Sequence, residues 1–225
     1  MSRHAIYNAC CNPKTDNLLK IKNDFLKAIH EGCGIIAINE AYTKEYRKAI
    51  EEVAHKHKRL VIWGKGGVGL AYRSHKWQCR KWKWHRYHRG IKGFTPERGC
   101  LDVTLWNKEE QQLETYDLTH MINGGFNKKP LIFKRLRPKM WNKGWSILQG
   151  VLEDGEGLRM VLGDINRQAR DTPKPHSNAR LRTPGYEIMQ IWTIGNWGYR
   201  DYWNIPVSQL KWADHAIQII STSKS

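Results

Sequence analysis

No apolar run in this chain approaches the roughly 20 residues needed to cross a bilayer as a helix. The runs at 34–39, 60–63 and 158–162 each stop within a few residues, so no membrane span is expected. The opening Met1-Ser2-Arg3-His4 leads straight into a strand-like segment and lacks the long apolar core of a secretory leader. Five cysteines (Cys10, Cys11, Cys33, Cys79, Cys100) cannot all pair, and none forms a Cys-x-x-Cys spacing. Zinc and thioredoxin chemistry are therefore excluded, and reduced, mostly buried thiols in an intracellular, cytoplasmic setting are expected. No Gly/Ser/Pro linker or low-complexity tract divides the 225 residues, which favours one domain over 1–225. Acids are also scarce, 21 against 38 Lys+Arg, giving a formal charge of +17. That excludes an acidic scaffold and supplies a long-range attraction for polyanions, nucleic acid first among them.

What is present in excess is concentrated. Between Arg73 and Arg98 nine Lys/Arg stand against the single acid Glu97, with Trp77, Trp82, Trp84 and Tyr87 interleaved. Neither alternating face of this run is apolar, so 73–98 reads as an edge ribbon or long loop inserted into the domain. Lys and Arg hold phosphates while aromatic rings stack on bases, and Arg80, Lys81, Trp82, Lys83, Trp84 and Arg86 are the candidate nucleic-acid contacts here. A competing reading makes the tryptophans anchors to the core and the charges a solvated surface. A second basic stretch, 128–143, holds seven Lys/Arg and no acid, and adds Lys134, Arg135 and Arg137 as candidates.

Hydrophobic periodicity predicts strands at 4–8, 34–39, 60–63, 68–73, 100–106, 112–121, 158–163, 199–204 and 216–221. It predicts helices at 16–31, 43–57 with Thr43 as cap, and 140–152. The polar, proline-containing stretch 167–182 reads as a surface loop. Early alternation of helix and strand followed by hairpins suits an α/β protein with mixed sheets.

Several of these strands end in polar groups that a core strand does not need. Asn8, Glu40, His120, Asp164 with Asn166, Asp201, and Asp214 with His215 all stand at such ends. Strand ends that open into loops are where ligands collect. Converging carboxylates repel unless a cation neutralises them, and an oxygen-rich set favours hard Mg²⁺ or Mn²⁺ over zinc. Each residue also has a local explanation: an Asx turn for Asp164 and Asn166, a helix-start charge for Glu40, a core histidine for His215.

The ordered set resembles the endonuclease/exonuclease/phosphatase superfamily. It comprises Asn8, Ile38-Asn39-Glu40, Thr119-His120, Gly163-Asp164-Ile165-Asn166, Arg200-Asp201-Tyr202 and Ala213-Asp214-His215. The resemblance implies a four-layer αββα sandwich with two mixed β-sheets face to face and helices outside. It implies that Glu40 and Asp214 bind the metal with Asn8 close by, and that Asp164 and Asn166 orient the attacking water and the phosphate. His215, held by Asp201, would contact that phosphate or exchange a proton, and His120 would be a phosphate ligand or general acid. Ala213 replaces the usual Ser before Asp-His, and Asn39 the usual Gln before Glu, but neither change removes a reactive group. The chain is short for this superfamily, implying trimmed substrate-selecting loops. The expectation is a monomeric, Mg²⁺- or Mn²⁺-dependent phosphodiesterase without a small-molecule cofactor, most simply an endonuclease on DNA with little sequence specificity. A phosphatase or phospholipid phosphodiesterase of the same fold, and a non-catalytic nucleic-acid-binding protein, are the alternatives.

Overall fold

The computed structural model describes residues 1–9, 17–91, 95–122, 136–153, 157–185, 187–210 and 215–224. In chain order the elements are β1 (Ser2–Asn8), α1 (Asn17–His30), β2 (Ile35–Asn39), α2 (Lys44–Lys56), β3 (Arg59–Trp63), β4 (Gly69–Arg73) and β5 (Trp77–His88). Next come β6 (Arg98–Asn107), β7 (Gln112–His120), α3 (Leu136–Glu153), β8 (Leu158–Asp164), β9 (Arg180–Leu181), β10 (Met189–Ile194), β11 (Trp197–Ile205) and β12 (Ile217–Lys224). They form two six-stranded mixed sheets, ordered β11-β12-β1-β2-β4-β3 and β5-β6-β7-β8-β10-β9.

Side-chain alternation explains the layering. On β6, β7 and β8, Leu101, Val103, Leu105, Tyr116, Leu118, Met160 and Leu162 point at the facing sheet and meet Ile6, Ile35, Ala37 and Leu70. Their neighbours Cys100 and Val161 point outward and pack under Trp141, Trp145, Leu148 and Leu152 of α3. On the other side, Ile21 and Phe25 of α1 and Tyr46, Ile50 and Val53 of α2 cover Ala5, Tyr7, Ile36 and Ile38. Three apolar seams thus separate four layers, the expected αββα sandwich. Thr43 caps α2, its hydroxyl accepting from the Tyr46 amide at 3.1 Å. Among the described residues no helix is long and apolar enough to cross a membrane. Cys33, Cys79 and Cys100 are free, and burial pushes the Cys33 thiol up to about 12. Cys10 and Cys11 lie outside the described residues.

The ribbon takes the edge form of the two expected for it: residues 77–88 are β5, a 12-residue edge strand paired with β6, and not a long loop. Two other readings change. The stretch before residue 199 contains β10, a strand that sequence periodicity does not reveal. All six of its residues are buried, so it lacks the alternation of a half-exposed strand, and Gln190 and Thr193 break the continuous apolar run that marks the equally buried β2. Finally, Leu19, which fits the apolar stripe of α1 by spacing, is 67% exposed.

Candidate active site

Both sheets contain one parallel pair, and these two pairs deliver the polar strand ends to a single edge of the sandwich. β1 and β2 run parallel with Asn8 opposite Asn39, and β7 and β8 run parallel with His120 opposite Asp164. Glu40 follows β2 in the left-handed region, at φ 62°, where a glutamate is uncommon. Strain of this kind persists where surrounding structure over-determines the position, commonly at functional sites. The result is a cluster in which ligand atoms of Glu40, His120 and Asp164 all lie within 4.8 Å of one another. His120 Nε2 is 3.4 Å from Glu40 Oε1 and 3.7 Å from Asp164 Oδ2.

Asp164 is anchored through one oxygen and presents the other to the cluster. Its Oδ1 accepts from the Asn166 amide at 2.8 Å, while Oδ2 faces His120. Asn166, itself at φ 56°, donates from Nδ2 to the Met121 carbonyl at 3.0 Å. The Asx turn is therefore real, and it is also the device that aims the carboxylate into the cluster. Gly163 serves the same approach of β7 and β8: a Cβ there would sit 1.9 Å from the Thr119 carbonyl oxygen.

His120 is buried, and burial, followed by the charge of Arg98 and the proximity of His215, holds its pKa well below the ordinary histidine range. Arg98 Nη1 lies at hydrogen-bond distance from both His120 Nδ1 and the Tyr42 hydroxyl. A guanidinium only donates, so Nδ1 must accept, and the imidazole proton is assigned to Nε2, on the carboxylate side. A neutral imidazole of this tautomer cannot offset two carboxylates, and its protonated Nε2 has no lone pair for a metal. The acids themselves call for a cation, and their oxygen chemistry fits Mg²⁺ or Mn²⁺. His120 is left as a hydrogen-bond donor toward an oxyanion beside that cation.

His215 precedes β12, which runs antiparallel to β1 with Gln218 opposite Ile6. It therefore arrives at the Asn8 end and lies close enough to His120 to depress its pKa. Asp201 does not arrive. It is exposed on β11 opposite Ser221, which in turn pairs with Arg3 at the far end of β1. Six residues of extended strand, roughly 20 Å at about 3.3 Å each, separate that level from His215. Asp201 is thus corrected as the group that holds His215; β11 and β12 are antiparallel, so their polar starts point to opposite ends. Asp214, Lys134 and Arg135 lie outside the described residues.

The basic ribbon divides by face. Lys81 and Lys83 pair with Thr104 and Asp102 on the outer face of their sheet, away from the acidic cluster. Trp84 is an anchor and not a free stacking platform: its indole donates to Glu97 at 2.8 Å and packs where a Cβ on Gly64 or Gly99 would fall. Trp82 is 55% exposed, and Arg80 lies over the ring of Trp106. Arg86, opposite Gly99, stands on the site side of the strand pair, since Gly99 also pairs with His120. Arg137 sits in the first turn of α3. Arg98 and Tyr42 escaped motif reading. Arg98 was hidden in a charge run, although an arginine opening the strand beside a strand that ends in His120 is a usable signal.

No family model and no curated protein matches the sequence. Solved structures do match in shape over nearly the whole chain. A humanized D. rerio TDP2 carrying 14 mutations superposes with a TM-score of 0.75 at 9% identity, covering 99% of each chain. The human Nocturnin catalytic domain with bound sulfate gives 0.72 at 13% identity, covering 100% of this chain and 94% of that one. An endonuclease/exonuclease/phosphatase from Bacteroides vulgatus gives 0.72 at 12% identity, covering 100% and 99%. With its two mixed sheets, its outer helices and the meeting of its polar strand ends, the chain has the fold of the endonuclease/exonuclease/phosphatase superfamily.

Proposed function

We propose that this protein is a divalent-metal-dependent phosphodiesterase that hydrolyses nucleic acid, most simply DNA, with little sequence specificity. The observation that carries this reading is the convergence of Glu40, Asp164 and a neutral, Nε2-protonated His120 at one edge of the sandwich. Arg98 and Arg86 border it.

In this reading Glu40, with Asp214 and with Asn8 close by, holds the Mg²⁺ or Mn²⁺. That ion, when bound, supplies neutralisation of the phosphoryl oxygens and of the departing alkoxide. His120 donates its Nε2 proton to a non-bridging oxygen and so favours the charge that grows there. Asp164, held by the Asn166 amide, orients the attacking water and draws on its proton, while Asn166 stays beside it. His215 contacts the phosphate or exchanges the proton of the leaving oxygen without help from Asp201. Arg98 sets the His120 tautomer, and Arg86, Arg137 and the exposed Trp82 contact the strand outside the reacting phosphate. The positive charge of the chain steers the polyanion to this edge. No base-reading motif accompanies these contacts, which supports low sequence specificity.

A digestion panel tests the proposal. Supercoiled plasmid, linear duplex, single-stranded DNA, RNA and a small phosphomonoester are incubated with Mg²⁺, with Mn²⁺ or with EDTA. Metal-dependent nicking of plasmid without release of phosphate from the monoester is the expected result. Cleavage of the monoester alone would transfer the site to the phosphatase reading, and nucleic-acid binding without cleavage under either metal would overturn catalysis.

A further inference from the structure

The ribbon lysines that do not reach the catalytic edge have another place to act. Lys81, Lys83 and His85 line a cavity of about 540 Å³ on the outer face of the β5-β6-β7-β8 sheet, together with Asp102, Thr115 and Arg159. Strand alternation separates it from the acidic cluster: on β7, Leu118 faces the opposite sheet, and His120 shares its side, whereas Thr115 and Asp117 face the other way.

The cavity is chemically uneven in an informative way. Arg159 is only 4% exposed and gives Nε and Nη2 to buried Asp117 at 3.0 and 2.7 Å. Its Nη2 is also 3.6 Å from Asp102. Its Nη1 makes no hydrogen bond among the described residues, leaving a guanidinium edge on the cavity wall with a spare donor. His85 Nε2 is buried and lacks a hydrogen-bond partner among the described residues, its nearest acid being Asp102 at 3.9 Å. Asp117 matches the charge of Arg159, so Lys81 and Lys83 face Asp102 alone. Two residues apart on one face of β5, they stand roughly 7 Å from each other, a span that brackets a phosphate group. A buried polar nitrogen without a partner is costly unless a ligand or water satisfies it, and His85 Nε2 is such an atom. Asp102 and the Thr115 hydroxyl add acceptors of the kind that bind sugar hydroxyls. The volume falls within the usual range for small-molecule sites.

We propose that this outer cavity binds a phosphorylated sugar, of which a nucleoside monophosphate is the probe, its phosphate held by Lys81 and Lys83 and its sugar hydroxyls by Asp102. The site is separate from the catalytic edge and does not depend on the activity proposed there.

Calorimetric titration of the full chain in EDTA with adenosine 5′-monophosphate, inorganic phosphate and adenosine tests this without turnover. The monophosphate should bind more tightly than either fragment and should shift the His85 imidazole resonances. The double variant Lys81→Ala/Lys83→Ala, both exposed positions, should weaken monophosphate binding about tenfold or more. Asp102→Asn should weaken the monophosphate but not inorganic phosphate, and Glu40→Gln should leave both unchanged. Undiminished affinity in the double lysine variant would overturn the proposal, as would loss of binding in Glu40→Gln. Dependence on Lys81 and Lys83 seen only with oligonucleotides, and not with the monophosphate, would also overturn it in favour of a backbone track.

Discussion

Arg98 donates to Nδ1 of His120, and that contact decides which imidazole nitrogen carries the proton. The histidine is thereby turned from a possible metal ligand into a donor aimed at Glu40 and Asp164.

Replacing Arg98 tests that assignment directly. In Arg98→Ala, long-range ¹H–¹⁵N spectra of His120 should show the Nδ1–H tautomer becoming populated, where the native chain shows Nε2–H alone. Turnover should fall about 10- to 100-fold, the usual cost of losing a group that orients an active-site histidine. An unchanged tautomer would place the proton under the control of the Tyr42 hydroxyl, 3.3 Å from Nδ1, and not of Arg98.

Glu40 and Asp164 should trade stability against activity. Without metal their carboxylates crowd a neutral imidazole, so Glu40→Gln and Asp164→Asn should each raise Tm in EDTA. A gain of about 1 kcal/mol corresponds to about 2–4 °C for a chain of this size. The same variants should lose at least about 100-fold in Mg²⁺-dependent turnover, and Mg²⁺ should stabilise the native chain more than either variant. Differential scanning calorimetry with and without Mg²⁺ checks both signs; near-native turnover in both variants would sink the site.

His215 and Asp201 should separate in kinetics. Since the β11–β12 register carries Asp201 to the opposite end of the sheet, Asp201→Asn should leave kcat and its pH profile near native values. His215→Ala should abolish cleavage while leaving the fold intact. Equal losses in the two variants would restore the pairing that the register denies.

Two buried groups should shape stability against pH with opposite sign. Burial, with the charge of Lys76, lowers His4 to about 3. Its folded pKa is below the unfolded one, so its contribution is complete above pH 6.5 and is lost as pH falls toward 3. Burial outweighs Arg159 at Asp117 and raises it to about 6. The folded state then favours the protonated acid, and that contribution is lost as pH rises from about 4 through 6. The shifts correspond to roughly 5 and 3 kcal/mol, at about 1.4 kcal/mol for each pH unit. Between pH 6 and 4 the two slopes oppose each other, and below pH 4 His4 acts alone. Urea unfolding should therefore show little change from this pair down to pH 4 and a decline beyond it. In Asp117→Asn the decline should begin near pH 6.5, whereas an onset unchanged at pH 4 would contradict the pairing of effects.

The chemistry at the strand ends is readable from residue order alone. Glu40, His120, Asp164 and Asn166 were legible because short apolar runs stop abruptly at polar groups, a local pattern that survives without knowledge of pairing. The helices and most strands were legible for the same reason, since periodicity is a property of neighbouring residues. β10 was not, because Gln190 and Thr193 break both the alternation of a half-exposed strand and the continuous apolar run that reveals the equally buried β2. The basic ribbon leaves two readings open in sequence, and pairing with β6 selects the anchoring one for Trp84 and turns Lys81 and Lys83 outward. Those outcomes, the exclusion of Asp201 and the tautomer of His120 depend on strand register and on contacts between distant parts of the chain. A shift of one residue would have sent each side chain to the other face, and register is set by the folded chain and not by neighbouring residues.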